Sequence, residues 1–485
     1  MNLIITYKIF LLNKFKNKIE NLINIHYLYY IVFKMKKFLG LILFCLLPLI
    51  ISFDVPPELQ SVCPQGCNRY DYCSAELGKC VYKGFFPIYP LELIELLLMM
   101  TSSALATACG IGGGTVYSSI ILGVQGFLPS RAFPIANFLI LCCGFVTYIE
   151  SCIDKYENPK NKFVNYDIAI IFGPSMLLGA KFGTIINKVF PTTLLMIGLL
   201  ILLCFTIYKT DKNIKKAKIK EELLLKKKND ETSNNINEPL LSLTESRYNY
   251  LHDDEKPINW DRILFICILE IIVILDQFIE GNSKLPSFVG IIRGSFLYWL
   301  SFFIYIIVSL IFIQIAIITV KNHIAKKKEI DPNYKSEIME NVNEHIIKVI
   351  LIAIFAGIIS SSLGIGGGMI TNPVFASLGL DPKESSSTSN FLIITTAIAS
   401  TFLFSFAGQL DINFSIAVGI PCSLAALCGS FFILKYINKT GRSSILLVLM
   451  QYFLIASLFI AIYKAGEDFY NLGIGNLIQF NSYNQ

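Results

Sequence analysis

The strongest constraint in this chain is a pentapeptide that occurs twice. Gly110-Ile111-Gly112-Gly113-Gly114 returns letter for letter as Gly364-Ile365-Gly366-Gly367-Gly368, each copy inside a long apolar run. Four glycines in five positions break an apolar helix, because backbone without Cβ atoms can unwind and admit a ligand or a second helix. The likeness continues downstream. Pro129 and Asn137-Phe138-Leu139-Ile140 follow the first copy, and Pro382 and Asn390-Phe391-Leu392-Ile393 follow the second. The offset is 254 residues at the glycines and 253 at the asparagines. Gly173-Pro174 is echoed by Gly419-Ile420-Pro421. This is an internal duplication.

Of the 485 residues, 54% are hydrophobic and 16% charged, against about a quarter charged in soluble domains. Several runs reach the roughly 18–20 apolar residues that cross a bilayer. The expected fold is an all-α polytopic membrane protein of two inverted repeats, each interrupted by its glycine break. The net charge of +6 comes from lysines clustered between apolar runs, which positive-inside topology explains better than nucleic-acid binding.

The boundaries follow from composition. Residues 1–53 combine a basic extension with a segment, from Met35-Lys36-Lys37 to Ser52, that reads as a signal peptide. The rival reading is an uncleaved anchor at 38–53. Residues 54–88 carry Cys63, Cys67, Cys73 and Cys80, expected as two disulfides in an oxidising compartment, with zinc disfavoured by the lack of a CxxC pair or nearby histidine. The first repeat spans 89–209. A polar cytosolic linker is expected at 210–260, two unpaired helices and a basic loop at 261–345, the second repeat at 346–465, and a tail at 466–485. If each glycine segment is a there-and-back hairpin, the Lys-rich loops at 152–166, 210–258, 321–345 and 436–442 all face the cytosol, and the Lys-poor loop 408–411 faces out.

Broken helices in inverted repeats place a substrate site where half-helix ends meet. Helix restarts are expected at Thr115 and Met369, where free N–H groups and the positive dipole end suit an anion. The expected substrate-binding residues are Gly110, Gly112, Gly113, Gly114, Thr115 and Asn137, with Gly364, Gly366, Gly367, Gly368, Ser387 and Asn390 from the second half. Tight helix crossing is the alternative role for the glycines, and N-capping the alternative for the asparagines. Lys181 and Glu270 are charged residues inside apolar helices and expected as accessory groups; Lys181 lies near enough to a helix end to snorkel. No Walker A or HExxH motif occurs, and no cofactor, metal or enzymatic constellation is implied.

The duplicated glycine motif, each copy followed by a short apolar piece, a proline and Asn-Phe-Leu, resembles the sulfite exporter TauE/SafE family over about residues 88–465. The cysteine segment and the central insertion resemble its plant and protist members. The resemblance implies a permease of about eight spans, moving sulfite or a small organosulfur anion without ATP; the signal peptide allows the plasma membrane or an endomembrane. Its partners would be that anion and the lipid bilayer. Arg131 and Phe133 stand where Glu384 and Ser386 stand in the second half, departing from the family's hydroxyl-rich pattern there. The alternatives are a permease for another small solute or metal ion, and a non-transporting membrane receptor or scaffold.

Overall fold

The computed structural model describes residues 71–74, 79–82, 88 and 90–476, apart from 109–111, 158–162, 231–258, 282–286, 292–294, 331–341, 343–344, 381 and 441–443. The signal segment, Cys63, Cys67, Gly110 and the centre of the linker lie outside these residues. Two compact units are present. The first comprises Met1–Leu59 with Phe86–Leu93, of which residue 88 and the start of the first helix are described. The second, Gln60–Phe85 with Ile94–Gln485, holds everything considered below.

Twelve α-helices are described: α1 (Pro90–Ala108), α2 (Gly114–Ile120), α3 (Pro129–Glu157), α4 (Tyr166–Val189), α5 (Thr192–Asp230), α6 (Trp260–Glu280), α7 (Phe296–Ile330), α8 (Ile346–Leu363), α9 (Gly368–Ser377), α10 (Pro382–Phe406), α11 (Ile412–Thr440) and α12 (Ser444–Asn476). Seven contain stretches long and apolar enough to cross a membrane, in α3, α4, α5, α7, α8, α10 and α11. The protein is an integral, multi-pass membrane protein. Helix α6 falls short of that apolarity because Glu270, Asp276 and Glu280 crowd its second half.

The order long helix, glycine break, short helix, proline-initiated helix occurs twice, as α1–α3 and α8–α10. Pro129 and Pro382 each occupy the first helical position, where a missing N–H costs nothing. Asn137 and Asn390 therefore sit more than two turns inside α3 and α10. The expectation that they open these helices is corrected, and N-capping is excluded. The restarts fall at Gly114 and Gly368, one residue before Thr115 and Met369. After α2 the chain widens into a π turn, Ile121–Gln125, and stops at Gly126 with φ 74°.

Several helices outrun their apolar cores. Helix α5 continues to Asp230 through residues expected as linker, and α7 continues to Ile330. Lys, Glu and Leu are good helix formers, and Lys215 pairs with Asp211 one turn away at 2.6 Å. Helix α12 likewise runs to Asn476, into the expected tail. Outside the helices, β1 (Asp71–Ser74) and β2 (Lys79–Tyr82) form an antiparallel pair that the all-α expectation lacked, with Cys73 opposite Cys80.

Glycine also joins helices tightly away from the breaks. A Cβ on Gly179 or Gly183 of α4 would strike the Ile354 or Ile358 carbonyl of α8, and one on Gly357 would strike the Met176 carbonyl of α4. Small residues at four-residue spacing let two backbones approach to contact. Helix α11 meets α1 similarly, with Gly429 on the Ala104 backbone.

Candidate functional site

The two glycine breaks meet. Gly112 and Gly113 have φ 81° and 62°, and Gly364 and Gly366 have φ 61° and 68°, all in the left-handed region that favours glycine. Gly364 ends α8 with the Ile365 N–H bonded back to the Ser360 carbonyl at 3.3 Å, a Schellman-type turn. Ser118 of α2 then donates to the freed carbonyls of that same end, Gly364 at 3.0 Å and Leu363 at 3.3 Å. Gly114 lies directly on the Ile365 peptide, leaving no room for a Cβ.

The first turns of the two short helices also touch. The Thr115 hydroxyl donates to the Met369 sulfur at 3.8 Å, joining residues at equivalent positions of the two copies. The four N-terminal N–H groups of each helix lack intrahelical acceptors by construction. Two isoleucines, likewise equivalent, close over the breaks: Ile140 packs on Gly114 and Gly366, and Ile393 on Gly112, Gly366 and Gly368. Gly113 lies against Ala106 and Tyr117, and Gly367 against Met176.

Asn137 precedes Ile140 by three residues, and Asn390 precedes Ile393 by three, so each shares a helix face with its isoleucine. Asn137 is 1% exposed, and neither amide atom has a hydrogen-bond partner among the described residues. Asn390 donates to the Gly144 carbonyl at 3.2 Å. Thr371 and Ser389 share a hydrogen bond of 2.6 Å beside Gly368. Ser387 is half-buried on α10. No Lys or Arg occurs between Leu91 and Ser130 or between Val349 and Pro382, so every donor contributed by the breaks and short helices is neutral. The arrangement is a buried, uncharged junction of two helix starts, with one unbonded amide, Asn137, about one turn from the Ile140 that packs on it.

Sequence reasoning missed the struts that hold this junction. Asn165 caps α4, accepting from Ile168 N–H at 3.2 Å, and donates to Glu384 of α10 at 3.0 Å. Asp411 caps α11, accepting from Phe414 N–H at 3.2 Å, and pairs with Arg131 of α3 at 2.6 Å. Each fourth helix of one half is thus tied through its cap to the third residue of the proline-initiated helix of the other half. The cap residues were readable from type; their partners, more than two hundred residues away, were not.

The two accessory residues are not at the junction. Lys181 is buried on α4 and bonded to Asp276 and to Glu280 of α6, the latter at 2.9 Å. Snorkelling is corrected: the ammonium turns inward because α6 supplies two carboxylates. Glu270 is buried on the same face of α6.

The family model described as sulfite exporter TauE/SafE matches residues 284–458. Sulfite exporter TauE/SafE family protein 1 of Arabidopsis thaliana is 24% identical over 417 residues, covering 83% of this chain and 90% of that relative. Family protein 5 of the same plant is 22% identical, covering 72% and 78%.

The chain is similar to the TauE/SafE family.

Its match to the family model lies in the second half, from α7 to α12, whereas the plant relatives align across most of the chain. This similarity supports a membrane permease. No solved structure matches the chain.

Proposed function

We propose that this chain is an ATP-independent permease that exports sulfite or a related small organosulfur anion, and that the anion passes between the two glycine breaks. The anion class comes from the names of its relatives. The observation that carries the route is Asn137: an amide that is buried and unbonded beside two apposed helix starts. Leaving such a group unpaired costs about 1–3 kcal/mol, a standing cost that a site for a polar ligand accounts for. Neutral donors at helix ends bind an anion without fixing it as a buried lysine or arginine would, which favours release. For an anion leaving the cytosol, an inside-negative potential contributes about 2.3 kcal/mol per charge per 100 mV.

The test is sulfite flux in proteoliposomes at a set potential, comparing wild type with Asn137→Leu. A leucine in this apolar surrounding removes an unpaired amide, so thermal stability should hold or rise. Flux should fall at least tenfold. A stable Asn137→Leu protein that transports at the wild-type rate would overturn the site. Well-folded wild type that moves no sulfite would overturn the substrate.

A further inference from the structure

A second polar feature lies on α6, which belongs to neither glycine-broken segment. The buried face of this helix presents Glu270, Val273, Asp276, Gln277 and Glu280, and its opposite face exposes Leu264, Ile268, Ile271, Leu275 and Phe278. Three carboxylates therefore point into the protein from a helix with an apolar outer surface. Asp276 and Glu280 hold the Lys181 ammonium, and Gln277 donates to Glu280 at 3.1 Å. Glu270 has no such support. It is 7% exposed, and both its oxygens lack a hydrogen-bond partner among the described residues. It is the eleventh of 21 residues, about 15 Å along the helix from either end.

Tyr305 of α7 connects the two groups. Its ring lies 4.6 Å from the Lys181 ammonium, and its hydroxyl is within electrostatic reach of Glu270, Asp276 and Glu280. The other helices packed on this part of α6 add little charge. Helix α10 has no titratable side chain between Phe391 and Phe406, α4 contributes Lys181, and α6 itself adds only Cys267 beside Glu270. Leu177, Leu178, Leu269, Val273 and Ala399 pack around Tyr305. A partly open cleft of ≈ 50 Å³ reaches the cluster, lined by Lys181, Lys188, Gln277, Glu280, Tyr298 and Gln409. At the other end of α6, Asp167 pairs with Arg262 at 2.8 Å and with His323 at 2.9 Å, near the Lys326–Lys328 run that positive-inside topology places in the cytosol. The cleft is thus on the side away from the cytosol.

We propose that the buried face of α6 is a proton-binding path, running from this cleft through the Lys181–Asp276–Glu280 cluster and Tyr305 to Glu270 at mid-helix, and that it couples proton movement to transport. Two ammoniums, Lys181 in the cluster and Lys188 at the cleft, stand against three carboxylates, so the group is neutral only with a proton bound. A buried carboxylate with no partner is costly as an anion and tolerable as an acid. Intramembrane acids facing a protein interior are the usual substance of proton relays. Helix α6 packs on α4 and α10, and these carry Met176 and Ile393 against the glycine breaks. A change in charge at Glu270 is therefore two packing contacts from the proposed anion route.

The coupling rests on the permease reading, whereas the proton site does not, and two measurements separate them. The first is infrared difference spectroscopy of purified protein across an acid-to-alkaline titration in H₂O and D₂O. A protonated-carboxyl C=O band that shifts on deuteration, is lost in Glu270→Gln and returns in Glu270→Asp is expected. Its absence from wild type, or its persistence in Glu270→Gln, overturns the site. The second uses proteoliposomes with a lumenal pH dye and a clamped potential, corrected for protein-free vesicles. Sulfite flux in wild type should carry protons, and Glu270→Gln should lose at least nine-tenths of that proton signal. Sulfite flux without a pH change overturns the coupling. An intact infrared band with no sulfite flux removes the sulfite reading and leaves the proton site standing.

Discussion

At the first glycine break the overlying asparagine, Asn137, is fully buried with neither amide atom bonded; at the second, Asn390 is partly exposed and bonded to Gly144. Behind the first stands an arginine–aspartate pair, Arg131 with Asp411; behind the second, a glutamate–asparagine bond, Glu384 with Asn165. The backbone plan is shared down to equivalent residues touching, Thr115 with Met369. The polar lining is not. Duplication fixes where two helices break and restart, and later divergence at a few positions decides which half keeps an unbonded polar group. The unbonded amide makes the first half the more adaptable of the two.

The largest test of this comparison is steric. A Cβ at Gly114 would meet the Ile365 backbone, which cannot turn aside, whereas at Gly368 it would meet the end of the Ile393 side chain, which can. Gly114→Ala should therefore destabilise by about 1–3 kcal/mol, as overpacking does. Gly368→Ala should be nearly neutral, the strain offset by the roughly 1 kcal/mol that alanine gains over glycine in a helix. Denaturant titration of the two purified variants checks this, and equal costs would mean that the breaks are not distinguished by backbone contact.

A middle-sized effect is expected at the asparagines. Asn390→Leu gives up the bond to Gly144 and should cost about 1 kcal/mol, opposite in sign to Asn137→Leu. If both substitutions lower the melting temperature alike, the contrast between the two asparagines disappears. The smallest effect concerns the struts. Arg131 and Asp411 are 30% and 20% exposed in their side chains, so Arg131→Ala should cost about 0–1 kcal/mol. Glu384→Ala strips a bond from Asn165 in a more buried setting and should cost more than Arg131→Ala. The reverse order in a melting series would show that the first-half strut is the stronger.

Much of this was visible in the chain itself. Glycines without side chains, prolines at helix starts and apolar runs of spanning length are local signals, and they gave the two breaks, the short helices after them and the multi-pass membrane fold. Asn137 and Asn390 were singled out but placed at helix starts, because an Asx residue before an apolar run reads as a cap until the upstream proline is taken as the true start. Lys181 was read as snorkelling because its partners, Asp276 and Glu280, lie nearly a hundred residues on, and no periodicity reports a contact across that distance. The Arg131–Asp411 and Asn165–Glu384 struts were hidden for the same reason. The extensions of α5 and α7 were missed because composition marks a polar segment as linker even where lysine, glutamate and leucine carry a helix on.

The Lys181 cluster has a consequence for how the protein is made. Lys181 and Asp276 are separated by 95 residues, and ribosomes add about 5–20 residues per second. Helix α4 thus waits about 5–20 seconds in or beside the insertion machinery before the helix that neutralises its charge exists. Its other main neighbour, α8, comes later still. The Lys181 charge is therefore without its carboxylate partners during synthesis until α6 has been made.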